Sequence, residues 1–297
     1  MSIFLNKAEV KAAPIGQSAG NRKYSSSSET TRESTPQLHF SKHTYPNDGE
    51  PFAYYLAGLV DGNGWISPQS TQIKIIICFR SKDAKTAFFI KKRVGFGSIR
   101  FDKNKSSLNY ILTSKEGLLK VCKLLNGKLL INRKKERLDL ILKLFEIKPL
   151  SSSALSLNNH YLSGLIDADG NFDIYVLNRP DRKDLEIRLR LKLDLIAQDK
   201  HVLEGLKAIF GGRLSYIELT QSWRYDSVSL KNMKAIICYL EKYQLISKYN
   251  EYRYLKKALW MVSHGLHLTL DGLSKILKYQ KKVSDFKRVN EKEECMI

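Results

Sequence analysis

Residues 162–170 read LSGLIDADG, and residues 56–64 read LAGLVDGNG. The two nonapeptides differ at four of nine positions, and at the eighth an acid, Asp169, stands against an amide, Asn63. Leu56, Leu59 and Val60 recur at helical spacing, so each stretch predicts a short helix with one apolar face. Gly58 and Gly164 fall inside these helices, where glycine costs about 1 kcal/mol relative to alanine. That cost is offset if a second backbone packs close against the glycine. Ala57 and Ser163 beside them are small as well. The two helices are therefore expected to pack on each other, with Gly58, Gly164, Ala57 and Ser163 at the contact. Asp61, Asp167 and Asp169 then lie at helix C-termini, an end whose dipole disfavours anions. Carboxylates kept there imply a local hydrogen bond or a cation.

Working outward, the two motifs are 106 residues apart (169 − 63), and their surroundings repeat with them. Strand-like sequence follows each motif. Next come helix patterns ending in glycine, AKTAFFIKKRVGFG (84–97) and HVLEGLKAIFGG (201–212). A second strand pair is predicted in 97–114 and 212–230, and two helical patterns close each repeat. A unit of this length is a duplicated domain rather than a solenoid repeat. The division expected is a flexible leader over 1–50 carrying the SSSS run, a first repeat over 51–147, a Ser- and Asn-rich linker over 148–159, a second repeat over 160–285 and a tail over 286–297.

The clearest strand is EIRLRLKLDL (186–195). Ile187, Leu189, Leu191, Leu193 and Leu195 alternate with Arg188, Arg190 and Lys192, the signature of a half-buried sheet with a row of cations on its outer face. In the first repeat Lys74 and Arg80 stand opposite Ile73, Ile75, Ile77 and Phe79. A net charge of +20 over 297 residues calls for a polyanion, either nucleic acid or an anionic membrane surface. Cations on a strand rather than on an amphipathic helix favour nucleic acid, bound by Arg188, Arg190, Lys192, Lys74 and Arg80. No apolar run approaches the ~20 residues of a membrane-spanning helix. Cys78, Cys122, Cys238 and Cys295 show no metal-site spacing and read as scattered thiols. His160, His201, His264 and His267 do not cluster with them, which argues against a zinc site.

With both motifs in this context, the chain resembles the two-motif, monomeric members of the LAGLIDADG homing endonuclease family, from about residue 52 to about residue 285. Further family-like stretches are FIKKRVGFGSI (89–99), LKKALWMV (255–262) and HLTLDGLSKI (267–276). The resemblance implies an α+β fold of two αββαββα halves related by pseudo-twofold symmetry. The motif helices would form the interface, and the two sheets a saddle over the DNA major groove. It implies Mg²⁺-dependent cleavage of both strands of a long asymmetric DNA site. Members are often encoded in group I introns of organelles, which implies a mitochondrial setting, and some act as RNA maturases.

Residue by residue, the resemblance assigns the metal-binding acid to the eighth motif position, here Asp169 and Asn63. Mg²⁺ takes carboxylates and waters, and Asn63 offers only a neutral carbonyl oxygen. Asp61 and Asp167 are expected to hold the helix ends. Aligning LINRKKERLDL (130–140) with LISKYNEYRYL (245–255) pairs Arg133 with Lys248 as the family's basic residues. Gln198 takes the position of a water-orienting polar residue. Two functions follow: a site-specific DNA endonuclease impaired by Asn63, its double-strand cleavage slow or absent or reduced to nicking one strand, or a non-cleaving binder of the same fold that serves as an intron maturase or RNA-binding structural protein.

Overall fold

The computed structural model describes residues 38, 40–69, 72–152, 154–178 and 185–288. The sequence repeat becomes a structural one. The first half runs α1 (Glu50–Asn63), β1 (Gly64–Ser67), β2 (Lys74–Arg80), α2 (Ala84–Val94), β3 (Ser98–Phe101), β4 (Ser107–Leu112), α3 (Lys115–Leu125) and α4 (Asn132–Leu144). The second runs α5 (Tyr161–Asp169), β5 (Gly170–Leu177), β6 (Glu186–Ile196), α6 (Lys200–Phe210), β7 (Arg213–Ile217), β8 (Ser222–Asp226), α7 (Leu230–Lys242) and α8 (Tyr249–Ser263). A further helix, α9 (Leu270–Arg288), folds back on α8. Each half carries one four-stranded antiparallel sheet, ordered β1-β2-β4-β3 and β5-β6-β8-β7.

Registers coincide between the halves: Gly64 pairs with Ile77 as Gly170 pairs with Leu193. Alternation then fixes which face is buried. Ile75, Ile77 and Phe79 of β2, and Ile187 to Leu195 at every second position of β6, point into the helical layer. Gly95 ends α2 in the left-handed region at φ 83°, where glycine pays no Cβ penalty. Ser229 and Asn232 form a reciprocal capping box that starts α7.

The two motif helices touch each other more extensively than any other pair of elements. A Cβ on Gly58 would lie 1.9 Å from the Tyr161 carbonyl oxygen, and one on Gly164 would lie 2.1 Å from that of Tyr55. The two backbones therefore meet at the mid-helix glycines, and the contact is reciprocal. Ala57 is fully buried. Ser163 turns toward α7 instead, its N–H donating to the Tyr239 hydroxyl and its own hydroxyl to the His160 carbonyl.

Two expected boundaries change. Residues 40–49 were expected within a flexible leader, yet they form a strap across both repeats. His43 stacks on Tyr249 at 3.8 Å and contacts the Leu245 carbonyl oxygen, and the Thr44 N–H donates to Gln244. Tyr45 stacks on Phe89 of α2, and Asp48 pairs with Arg93. The aromatic residues of this stretch have partners to bury against, a property the Ser-rich composition upstream hides. The linker is likewise pinned at its start: Asn126 donates to the Lys148 carbonyl and accepts from the Leu150 N–H. At the other end, α9 runs three residues past the expected close of the second repeat, and Lys82 of the first repeat donates to its Phe286 carbonyl. The rest of the leader, residues 1–37, and residues 289–297 lie outside the described residues.

Candidate active site

Parallel descent of α1 and α5 brings Asn63 and Asp169 to one end of the helix pair. Gly62 makes room there, since a Cβ at that position would sit 2.9 Å from an Asp169 carboxylate oxygen and 2.2 Å from the Ala168 Cβ. Asn63 crosses the interface, its Nδ2 reaching the Ala168 carbonyl at 3.5 Å. The two side chains open into a cleft of about 340 Å³ with Cys78, Arg80 and Ser107 from the first repeat and Asn171 and Lys248 from the second. Cys78 and Asn171 lie on the exposed sheet faces, so the cleft is continuous with those faces.

Charge differs between its two sides. Burial raises the Asp169 carboxyl above the usual carboxylate range, Lys248 and Lys134 oppose that, and Asp194 adds to it. No hydrogen bond reaches that carboxylate among the described residues, which leaves its oxygens for a ligand. Asn63 keeps its carbonyl oxygen for the same purpose because its amide N–H is directed at Ala168. One carboxylate, one amide oxygen and open space for water suit a hard divalent cation such as Mg²⁺, which keeps several waters. Among the described residues no three His, Cys, Asp or Glu side chains form a closed cage for a softer metal.

Beneath the cleft, Asp61 and Asp167 each clasp the two halves together. Asp61 accepts from the Tyr161 hydroxyl at 2.6 Å and from the Leu130 and Ile131 N–H groups that precede α4. Asp167 accepts from the Tyr55 hydroxyl at 2.8 Å and from the Ile246 and Lys248 N–H groups that precede α8. The two acids do not hold the ends of their own motif helices as expected, but anchor the closing helices and the opposite motif helix. The signal for the tyrosines was present in sequence: Tyr55 and Tyr161 each stand one residue before their motif. Burial pushes the Asp61 carboxyl up to about 6, against the pull of Tyr161 and the backbone donors.

Lys248 was paired with Arg133 by alignment, and the structure pairs it with Lys134. Lys134 Nζ donates to the carbonyls of Val60, Asp61 and Gly62, and Lys248 Nζ to those of Ile166 and Ala168. Each ammonium caps the C-terminus of its own motif helix, favourable charge at the negative end of the dipole. Arg133 instead reaches across to Asp199 of the second repeat at 3.2 Å. Lys134 lies within the first turn of α4 whereas Lys248 is the residue just before α8, so the two positions do not fall opposite each other when RK is aligned against KY. Lys134 spends all three ammonium protons on carbonyls. Lys248 spends two and lines the cleft. Burial lowers both to about 8.

Gln198 is exposed on the 3-10 turn Ala197–Asp199 and does not line the cleft. The cation row is where the alternation places it, but it is not bare. Arg188 is held by Glu186, Arg190 by Asp226, Lys192 by Asp173 and Tyr175, and the neighbouring Arg224 by Asp194. Period-two reading locates a side chain on a face and says nothing of partners from adjacent strands. Cys78, Ser107 and Asn171 were missed altogether, since only strand register brings them to the helix ends. Cys78, Cys122 and Cys238 are free thiols, and Cys295 lies outside the described residues. No helix among the described residues is long and apolar enough to cross a membrane.

The family model for LAGLIDADG endonucleases matches residues 56–145 and 162–259, one copy per half. The chain belongs to the LAGLIDADG endonuclease family. A cox1 intron-2 protein of Schizosaccharomyces pombe, itself uncharacterized, is 34% identical over 285 residues, which cover 90% of this chain and 85% of that protein. A probable intron-encoded endonuclease of Neurospora crassa is 28% identical, and the match takes in 91% of this chain but only 49% of the relative. The intron-encoded RNA maturase bI4 of Saccharomyces cerevisiae is 25% identical over 65% of this chain and 29% of its own length. Two solved LAGLIDADG folds align with TM-scores of 0.61: I-SmaMI bound to an uncleaved DNA target with calcium ions (19% identity, 77% of this chain, 97% of that one), and the homing endonuclease I-LtrWI bound to target DNA (21%, 78% and 97%). These show the two-half fold of the LAGLIDADG chain, with both motif helices supplied by one polypeptide.

Proposed function

We propose that this LAGLIDADG protein binds duplex DNA along the exposed faces of its two sheets and hydrolyses one strand at the cleft in the presence of Mg²⁺. The observation that carries the reading is the coincidence of two asymmetries. The half with the acid, Asp169, also has a lysine in the cleft with an uncommitted proton, Lys248. The half with the amide, Asn63, has a lysine whose three protons are consumed by carbonyls. Bound Mg²⁺ would be held by Asp169, with Asn63 as a weaker neutral donor, and would neutralise charge on the scissile phosphate and lower the pKa of a bound water. Lys248 then offers its remaining donor to a phosphate oxygen, while Arg80 adds positive charge at the cleft wall. DNA-bound relatives support duplex DNA as the partner, and the cox1-intron relative supports a mitochondrial origin.

A supercoiled plasmid carrying the site, incubated with Mg²⁺, is expected to accumulate as open circle with little linear product. Linearisation as fast as nicking would overturn the reading. Asp169→Asn is expected to abolish nicking while leaving DNA affinity within about twofold, since the carboxylate adds nothing to backbone contacts. A second reading, a non-cleaving maturase, is favoured by Asn63 and by the RNA maturase relative. It predicts no nicking at all, with tight binding of structured intron RNA that survives Asp169→Asn.

A further inference from the structure

A cavity in the first repeat lies away from the cleft and from both exposed sheet faces. It has a volume of about 770 Å³, in the range of small-molecule sites. Its walls come from the strap, the first turn of α1, and α2 and α3, with no strand residue among them. Since α2 buries Ala87, Ile90 and Val94 against the sheet, the cavity opens on the helical side of the repeat, opposite the proposed duplex surface.

Rings and cations alternate around it. Tyr45 and Phe89 are stacked with centroids 5.0 Å apart, both half-buried, and Phe52 meets Phe89 edge-on. Arg93 lies over the Phe89 ring at 5.2 Å and Lys85 over Tyr45 at 5.4 Å. Lys92 is exposed at the rim, and Lys120 is fixed by the carbonyls of Arg93 and Val94. Asp48 is the only acid in the lining, and Arg93 already neutralises it. Aromatic platforms within a cationic rim match one ligand chemistry: flat bases on a polyanionic backbone. In a duplex the base faces are stacked and hidden, so the strand must be unpaired. An apolar peptide would leave Lys92 unmatched, and a duplex would reach the cations but not the rings.

We propose that this cavity is a second nucleic-acid site that takes an unpaired stretch of a single strand, with a base against Tyr45 and Phe89 and phosphates on Lys92 and Lys120 of the lining and on Lys85 beside it. It is independent of the cleft and of whether the cleft cuts. The test measures fluorescence anisotropy of the full chain with a labelled single-stranded RNA of no self-complementarity, the same sequence as DNA, and a labelled duplex DNA. Two variants are compared, Lys85→Glu with Lys92→Glu, and Tyr45→Leu. Equal unfolding midpoints establish that each is folded. Affinity for one or both single strands is expected to fall about tenfold in each variant, with duplex affinity changed less than about twofold. A loss confined to RNA identifies a site that uses the 2′-hydroxyl, and a loss shared with DNA identifies a general single-strand site. Unlabelled duplex should not displace the bound strand. Single-strand binding that is absent, unchanged in both variants or displaced by duplex overturns the proposal, and leaves a protein partner or internal packing as the use of the cavity. Failure of the duplex arm alone bears on the cleft reading and not on this one.

Discussion

Asn63 and Asp169 differ by one functional group, yet their surroundings differ with them. Buried charge beneath the cleft is supported rather than tolerated: Asp61, Asp167, Lys134 and Lys248 each have two or three partners, unlike Asp169 at the cleft itself. The exception is Asp61 Oδ1, buried with no partner in the described structure, in keeping with a carboxyl whose proton is retained to about 6 rather than 3.8. A carboxyl whose folded pKa is raised binds more protons folded than unfolded between those values, so its contribution to stability is complete below about 3.8 and is lost as pH rises through about 6. Wild-type protein should therefore gain in thermal midpoint over Asp61→Asn as pH falls from 6 toward 4. A constant difference across that window would contradict the protonated, desolvated carboxyl. In sequence Asp61 and Asp167 were legible as helix-end acids. Their depth was not, because burial depends on the opposite repeat.

At the scale of elements, the α1–α5 contact decides what the halves can be. Gly58→Ala places a Cβ on a carbonyl 1.9 Å away on a backbone that is itself packed, so nothing flexible can yield. The loss expected in urea unfolding is at least about 3 kcal/mol, at the upper end for a single methyl because two backbones must separate. Gly205 in α6 is the useful contrast. Its nearest neighbour to a new Cβ is Leu155 at 3.5 Å, ordinary contact, so Gly205→Ala should stabilise by roughly 0.5–1 kcal/mol through helix propensity. The duplicated motif made Gly58 and Gly164 readable as a contact pair. Ser163 was assigned to the same contact from size alone, and the helix phase turns it to α7. The strap over 40–49 went unread for a related reason: it forms no periodic element, and its rings acquire meaning only beside Phe89 and Tyr249.

For the whole molecule, a net charge of +20 exaggerates what the sheet faces present. Arg188, Arg190, Lys192 and Arg224 are each matched by a carboxylate from the same sheet. Duplex affinity should fall with salt at a log–log slope of about 0.9 per phosphate neutralised, with fewer phosphates than cations on the faces. Asp194→Asn releases the bidentate Arg224 and should steepen that slope by up to about 0.9 while tightening binding at low salt. An unchanged slope in the salt titration would show that Arg224 does not face DNA. Pairing also orients these guanidinium groups, which favours defined contacts over diffuse attraction.

By itself the sequence determined the duplication, the half-buried sheets, the motif helices as partners and the one acid at their ends, because all of these follow from periodicity and from spacing along one chain. Tertiary structure alone decided that Lys134 rather than Arg133 mirrors Lys248, that the cation row is ion-paired, and that Cys78, Ser107 and Asn171 share a cleft with Asp169. Each depends on helix phase or on strand register across the pseudo-twofold, and a one-residue difference in either sends a side chain to a different neighbour.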